Sequence, residues 1–310
     1  MDLRRLRLFL AVVDHGTFTA AAAAEHVAQP AVSLAVRELE AELATPLLIR
    51  SRRGIVLTAA GEALVPPARQ ALRDLDHATA AVAAVTGLVA GRLDLITLPT
   101  LAADPVADLV GRFRSAHPAV TVRLGAPNDL EALAREVREG SAEVGITEQG
   151  PANRGLTEVR LRDQELRAVS PPGAAARVVR IDRLAGVPLV LTPPGSSLRD
   201  VVAGALREAG IEAEVAVETA QRDALIPLVL AGAGTTFLPT QLADAAARLG
   251  ATVRPTTPRL SRTIVLVHRP ESLGPAAQHF CALASAPNQQ PGDPRDVRDR
   301  RPRAGRTARR

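Results

Sequence analysis

The chain of 310 residues contains no lysine, tryptophan or tyrosine, one methionine and one cysteine. All 38 positions counted as lysine or arginine are arginine, which beside abundant alanine reads as coding bias in a GC-rich genome and carries no mechanism. The single cysteine, Cys281, excludes an internal disulfide framework and suits a reducing compartment. Its apolar helical setting marks a buried structural thiol. No apolar run approaches membrane-spanning length, because Arg, Asp or Pro breaks the longest ones. The opening MDLRRLRLF lacks a signal core and cleavage site, so a cytoplasmic location is expected and export is not.

Reactive chemistry is equally sparse. No Gly-x-Gly-x-x-Gly follows a strand pattern, and neither a phosphate-binding Gly-Lys loop nor a Gly-x-Ser-x-Gly elbow occurs. The histidines His15, His26, His77, His117, His268 and His279 are scattered without metal-ligand spacing. No catalytic, metal or cofactor site is expected. The net charge of +5 says less than it suggests, because residues 1–58 carry +1, residues 59–285 carry −1 and residues 286–310 carry +5. Attraction of the N-terminal segment to nucleic acid must therefore come from where its arginines sit.

What is present is concentrated between Gly16 and Leu57. A first helix is predicted over Leu3–His15, with Leu6, Phe9, Leu10 and Val13 as one apolar stripe. Gly16 ends it, and Thr17 caps a second helix running to about His26 through five consecutive alanines. A third helix starts at Pro30, whose fixed φ suits a first turn. At about 100° per residue, Val32, Val36, Leu39 and Leu43 face inward, while Gln29, Ser33 and Arg37 share another face flanked by Pro30 and Leu34. An amide, a hydroxyl and a guanidinium spaced in this way can reach base edges and phosphates in a major groove, and Leu34 can touch a thymine methyl. Alone, the same pattern describes any amphipathic helix with a solvated face. Arg50, Arg52 and Arg53 around a turn at Gly54, followed by Ile55-Val56-Leu57, add a hairpin able to lay arginines on phosphates or in a minor groove.

The stretches FLAVVDHGTFTAAAAAEHVAQPAVS, Leu39-Glu40 and RSRRGIVLTAAGEAL resemble the LysR-type transcriptional regulators. The resemblance is long and ungapped here, and continues in length and layout to about residue 285. It implies DNA contacts at Gln29, Pro30, Ser33, Arg37, Arg50 and Arg53, and a winged helix-turn-helix over 1–58. Three positions depart from the family pattern. Ala28 replaces the usual Ser or Thr cap, a loss of about 1 kcal/mol. Ala44 replaces a glycine where a left-handed residue is strained by roughly 1–2 kcal/mol. Leu48 replaces a common Phe.

From Thr58 to about Thr86 a helical pattern places Leu64, Ala68, Ala71, Leu75, Ala78, Val82 and Val85 at alternating spacings of four and three, a heptad seam. The seam packs either on the chain itself or on a partner helix, and the resemblance favours a dimerising linker over 59–90. Pro66 and Pro67 are expected to kink or divide it. Beyond a hinge at Gly87–Gly91, strand and helix patterns alternate, with Asp104 capping a helix from Pro105 and Asn128 capping another. The bulk of 91–285 is therefore α/β with mostly parallel sheets. The resemblance implies a periplasmic-binding-protein-like effector domain, split into a subdomain of 91–168 with 266–285 and a second of 169–265.

Ligands of open α/β sheets bind beyond the carboxyl ends of strands. That places candidate contacts at Pro99, Thr100, Thr147, Ser196, Ser197, Thr219 and Thr235, with Arg199 in the first turn after the serines. Each hydroxyl serves equally well as a helix cap, and Arg199 either pairs with a carboxylate or faces water. The set suggests a small polar anion. The tail 286–310 is rich in Pro, Gly, Gln and charge, and is expected to be disordered and basic.

The expected partners are double-stranded DNA, a small-molecule effector and the chain itself as a dimer or, by resemblance, a tetramer, with no membrane. Two rivals stand beside this reading. One is an enzyme on a periplasmic-binding-type fold, which needs a reactive constellation the sequence does not display. The other is an architectural protein that uses the basic tail without sequence choice.

Overall fold

The computed structural model describes residues 1–51, 54–85, 89–127, 129–174, 177–270 and 273–286, with the backbone alone at 50, 51, 80, 81 and 83–85. Arg52, Arg53, Thr86, Gly87, Asn128 and the tail from 287 lie outside the described residues.

Helices α1 (Leu3–His15), α2 (Phe18–Ala24) and α3 (Gln29–Glu42) pack on one another because each has one apolar side. Asp2 caps α1 by accepting from Arg4 N at 3.1 Å, and Gly16 ends it at φ +70°. Leu6, Phe9 and Leu10 are buried as the stripe predicts; Leu8, Ala11 and Val12 join them because α1 lies against α2, α3 and the following long helix. Thr17 caps α2 through Ala20 N at 3.1 Å. That helix stops at Ala24, short of the expected His26, which itself turns left-handed at φ +54°.

Helix α3 buries Val32, Ala35, Val36 and Leu39. Leu43, expected inside, is 38% exposed, since the helix has ended before it. Ala44 takes φ +50°, and the bonds Ala44 N to Ala41 O (3.2 Å) and Thr45 N to Glu40 O (3.1 Å) complete a Schellman turn. The chain therefore does adopt the left-handed geometry for which alanine is the wrong residue. Strands β1 (Leu48–Ser51) and β2 (Gly54–Leu57) form the antiparallel hairpin, with Ile49 opposite Val56.

Helix α4 (Ala59–Val85) is one continuous helix, so the expected division at Pro66 and Pro67 does not occur. Thr58 caps it, accepting from Gly61 N at 3.0 Å and donating to Pro46 O at 2.8 Å. The first half of the seam packs into the N-terminal core through Leu64, Ala68 and Ala71, joined by the neighbouring Val65. The second half does not: Leu75 is 44% and Val82 73% exposed.

Next come β3 (Gly91–Thr97), a single turn α5 (Pro99–Leu101), irregular helical backbone over Ala102–Val106, α6 (Ala107–Ala116), β4 (Val120–Gly125), α7 (Leu130–Arg138) and β5 (Val144–Glu148). Asp104 does not cap a helix from Pro105. Its backbone is extended, its side chain is buried, and it ion-pairs with Arg162. Helix α7 is capped by Asp129, which accepts from Ala132 N at 2.7 Å.

The chain continues through β6 (Thr157–Ser170), β7 (Val179–Arg180), β8 (Leu189–Leu191), α8 (Ser197–Glu208), β9 (Val215–Glu218), α9 (Leu225–Leu230), β10 (Thr236–Pro239), α10 (Thr240–Arg248), β11 (Thr252–Arg254), β12 (Thr256–Thr257), β13 (Leu260–His268) and α11 (Pro275–Ser285). The main sheet runs β10-β6-β13-β5-β3-β4, with β11 also on β6. Within this sheet β5-β3-β4 is parallel and β13, β6, β10 and β11 join it antiparallel, while the two-stranded sheets β7-β12 and β8-β9 are parallel as expected. The expectation of mostly parallel sheets is thus corrected to a mixed sheet, because the two long strands β6 and β13 run back through its middle. One apolar core lies around β3–β5 and α11, centred on Phe113 and Phe280, whose rings meet edge-on at 5.4 Å. Two others form around β8, α8 and α9.

Replacing Ala44 with Gly relieves the left-handed strain and should raise stability by about 1 kcal/mol. Gly61→Ala should lower it by about 1–3 kcal/mol, because a Cβ there falls inside contact distance of Leu47 O and 2.8 Å from Leu57 Cδ2. Urea midpoints of both variants check the signs.

Candidate DNA-reading face and ligand cleft

On α3, Gln29, Pro30, Leu34 and Arg37 are exposed and Ser33 is half-buried, opposite the buried Val32, Val36 and Leu39. The amide, hydroxyl and guanidinium therefore share one solvent face. Arg37 Nε donates to Ser33 O at 3.2 Å, which orients the guanidinium along that face. Ala28 makes no side-chain cap bond, as its composition dictates.

The hairpin is tied to the back of this helix by a residue that spacing alone did not single out. Glu40 Oε1 accepts from Leu47 N at 2.8 Å and Leu48 N at 3.2 Å, so α3 and β1 hold a fixed relation. Arg50 lies on β1, with backbone paired to Ile55, while Arg52 and Arg53 are outside the described residues.

The second site gathers at the carboxyl ends of β3 and β5 and the start of α8, around a residue unnoticed in the sequence. Arg262 on β13 is 5% exposed. Its Nε and Nη2 donate to Gln164 Oε1 at 3.0 and 2.7 Å, Nη2 also to Thr100 Oγ1 at 3.2 Å, and Nη1 to Ser197 Oγ. Glu148 Oε2 lies 3.7 Å from Arg262 Nη1 and accepts from Ser197 Oγ at 2.5 Å. Gln164 Nε2 in turn donates to Asp104 O at 3.1 Å and its Oδ2 at 3.3 Å. Burial pulls the Arg262 pKa down to about 10, against the opposing field of Glu148, and still leaves it charged. Burial likewise pushes Glu148 above the usual carboxylate range, with Ser197 and Arg262 opposing.

Beside this network opens a cleft of about 790 Å³, lined by Glu148, Thr192, Ser196, Asp200, Arg222 and the α7 start among others. Its volume fits a small molecule. Thr192 Oγ1 and Ser196 Oγ hydrogen-bond each other at 2.6 Å, and Asp200 Oδ1 accepts from Gly195 N at 3.3 Å.

The structure therefore brings together Thr100, Ser196 and Ser197, with the half-buried Pro99 one residue before Thr100. It does not bring the other four with them. Thr147 is fully buried, its hydroxyl without a partner among the described residues. Arg199 lines a separate cavity of about 230 Å³ with Leu206, Arg207 and Ile211. Thr219 accepts from Gln221 N at 3.0 Å inside its own turn, and Thr235 meets Ser170 Oγ at 2.9 Å in the interior. Among the described residues no group of three His, Cys, Asp or Glu is placed to hold a metal ion. Sequence did carry one signal for Arg262, since in LSRTIVLVH it shares alternation phase with the buried Leu260, Ile264 and Leu266.

Two family models match. "Bacterial regulatory helix-turn-helix protein, lysR family" matches residues 3–62, and "LysR substrate binding domain" matches residues 86–286. The chain belongs to the LysR family of transcriptional regulators. A probable hydrogen peroxide-inducible genes activator of Mycobacterium leprae (strain TN) is 32% identical over 238 residues, covering 76% of each chain. Among solved structures, full-length CbnR complexed with its target DNA is 25% identical, covers 92% of this chain and 99% of its own, and has a TM-score of 0.65. A point variant of full-length OxyR from Pseudomonas aeruginosa has a TM-score of 0.74 at 23% identity, covering 92% and 93%. This LysR-family chain is thus a DNA-binding transcriptional regulator, with a helix-turn-helix reader followed by an effector-binding domain.

Removing the guanidinium by Arg262→Met strands Glu148 in the interior and should cost about 3–5 kcal/mol in a urea titration at neutral pH. Glu148→Gln imitates the protonated acid and should cost far less. Because Glu148 is raised from 4.5 in the folded chain, the stability it adds is full below that value and lost as pH rises through the folded value. The Gln variant should lack that loss.

Proposed function

We propose that α3 lies in a major groove and reads base edges with Gln29, Ser33 and Arg37, with Pro30 and Leu34 against the same groove. Arg50, Arg52 and Arg53 of the hairpin hold the neighbouring phosphates or minor groove. The observation that carries this reading is the sidedness of α3: three groups able to bond bases or phosphates share the face opposite a fully apolar one. The DNA complex of CbnR supports it at the level of fold.

Two copies pair through the second half of α4, where Leu75 and Val82 leave the heptad seam uncovered, and two dimers make a tetramer. We divide the chain into a reader over 1–58, a linker over 59–90 and an effector domain over 91–285, its subdomains made of 91–168 with 266–285 and of 169–265. The effector occupies the cleft beside Glu148 and Ser196. Since Glu148 already lies beside Arg262, and Asp129, Glu131 and Asp200 line the cleft against the one base Arg222, a simple anion is a poor fit; a neutral or amine-bearing polar molecule suits it better.

The relatives are regulators, and we read this chain as non-catalytic. A cytoplasmic location accords with this role; no helix among the described residues is long and apolar enough to cross a membrane. The peroxide-inducible relatives prompt a thiol-based alternative. It is disfavoured because Cys281 is the chain's one cysteine and burial pushes its pKa up to about 12, leaving almost no thiolate.

Ser33→Ala combined with Arg37→Ala should abolish footprinting on a DNA site selected by the wild-type chain, with oligomer size unchanged by light scattering; an undiminished footprint would remove these residues from the reading role. Deleting residues 286–310 should lower the salt slope of binding and keep site preference. Loss of preference on that deletion would favour the architectural rival.

A further inference from the structure

Helix α4 does more than extend from the reader, because one of its sides is bonded to the effector domain. Arg69, Arg73 and His77 recur every four residues, which puts them on one stripe. Arg69 donates to Ser141 Oγ and pairs with Asp14 of α1 at 2.6 Å, so it touches both domains. Arg73 donates to the Gly140 carbonyl. His77 Nε2 lies 3.1 Å from Glu143 Oε1, which also accepts the Gly274 N–H at 2.7 Å. Glu143 is 5% exposed, so these are the partners that satisfy a buried charge.

Two glycines make room for this stripe. A Cβ at Gly140 falls inside contact distance of the Arg73 guanidinium, and one at Gly274 inside that of the His77 ring. Gly140 has a backbone reason to be glycine at φ +73°. Gly274 has none, since its φ of −66° suits any residue. The space it leaves is filled by His77.

We infer that Arg69, Arg73 and His77 form a clamp that makes α4 and the half of the effector domain around β5 and α11 one rigid body, with His77 and Glu143 as its positioning pair. Motion of that half on effector binding then turns α4, and with it the reader packed on the first half of the same helix. This rests on α4 being the helix that sets the two readers, as proposed above.

Several charged groups face the pair. Arg73 and Asp74 come from α4 itself, Arg69 and Arg269 flank Arg73, and Cys281 approaches Glu143 from α11. The Glu143 hydrogen bond raises the His77 pKa above 6.5, and Glu143 is held below 4.5 by His77 and the Gly274 N–H despite its burial. The contribution of His77 is full below 6.5 and lost as pH rises through its folded value; that of Glu143 is full above 4.5 and lost as pH falls through its own. The clamp is therefore tightest between those values and slackens at alkaline pH.

Hydrogen exchange on the full chain, corrected for intrinsic rates, tests this across α4 residues 69–81 at pH 6 and pH 8.5. Wild type should lose protection at the higher pH. Glu143→Gln and His77→Gln should be weakly protected at both, with no pH step. Gly274→Ala, acceptable to the backbone but clashing with His77, should do the same. All three should still bind a duplex selected by wild type from a random pool, with altered gel mobility reporting altered bending. Unchanged protection in the variants, or a pH step that persists in Glu143→Gln, overturns the clamp. If wild type selects no duplex, the DNA-reading proposal fails, while the exchange result still decides the clamp.

Discussion

A buried guanidinium is the constraint on which the effector domain depends. Arg262 leaves water at a cost of several kcal/mol, and the fold offsets that cost only by supplying acceptors from distant parts of the chain. Gln164 comes from β6, Thr100 from α5, Ser197 from the first residue of α8 and Glu148 from the end of β5. The network therefore ties β5, β6, β13, α5 and the start of α8 to one another, and the cleft opens directly beside it. An effector in the proposed place would exchange partners with Glu148 and Ser196, which are already hydrogen-bonded, so net affinity would arise from small differences between large terms.

The reading domain is organised on a different principle. Its second helix is short and alanine-rich, and the domain's geometry is fixed by a few directed bonds, among them those from Leu47 N and Leu48 N to Glu40 and the Schellman turn at Ala44. Ala28 and Ala44 leave α3 with neither a side-chain cap nor a residue at ease in a left-handed turn. Packing of Val32, Val36 and Leu39 holds the helix in place despite this. Stability is thus placed in the buried side, and the exposed side stays available for recognition.

Local features of this chain were legible in sequence, because a helix writes its face every 3.6 residues. The sides of α3 up to Leu39 and the helical run of α4 could be read in that way, and the Gly16 stop and Thr17 cap from residue type. What escaped was non-local or depended on which side of an element a neighbour falls. Strand β6, with RLRDQELR in its middle, hides its alternation because the apolar phase changes between Val159 and Leu161 and the later Leu166 and Ala168, and the buried Gln164 is polar. Glu148 and Arg262 sit more than a hundred residues apart and reveal their pairing only in the fold. Arg199 follows the cleft serines closely in sequence, yet two residues along a helix is about 200° of rotation, and it faces the other cavity. Strand alternation likewise turns Thr147 away from the side that Glu148 occupies.

The half-uncovered seam of α4 has a quantitative consequence for control. On the proposed pairing through Leu75 and Val82, the competent reader is a multi-chain species whose abundance rises faster than linearly with the amount of chain made. Below the dissociation constant of the pair, halving the number of chains cuts the number of paired readers about fourfold, by simple mass action. Occupancy of a site then behaves as a threshold in expression level, before any effector is considered.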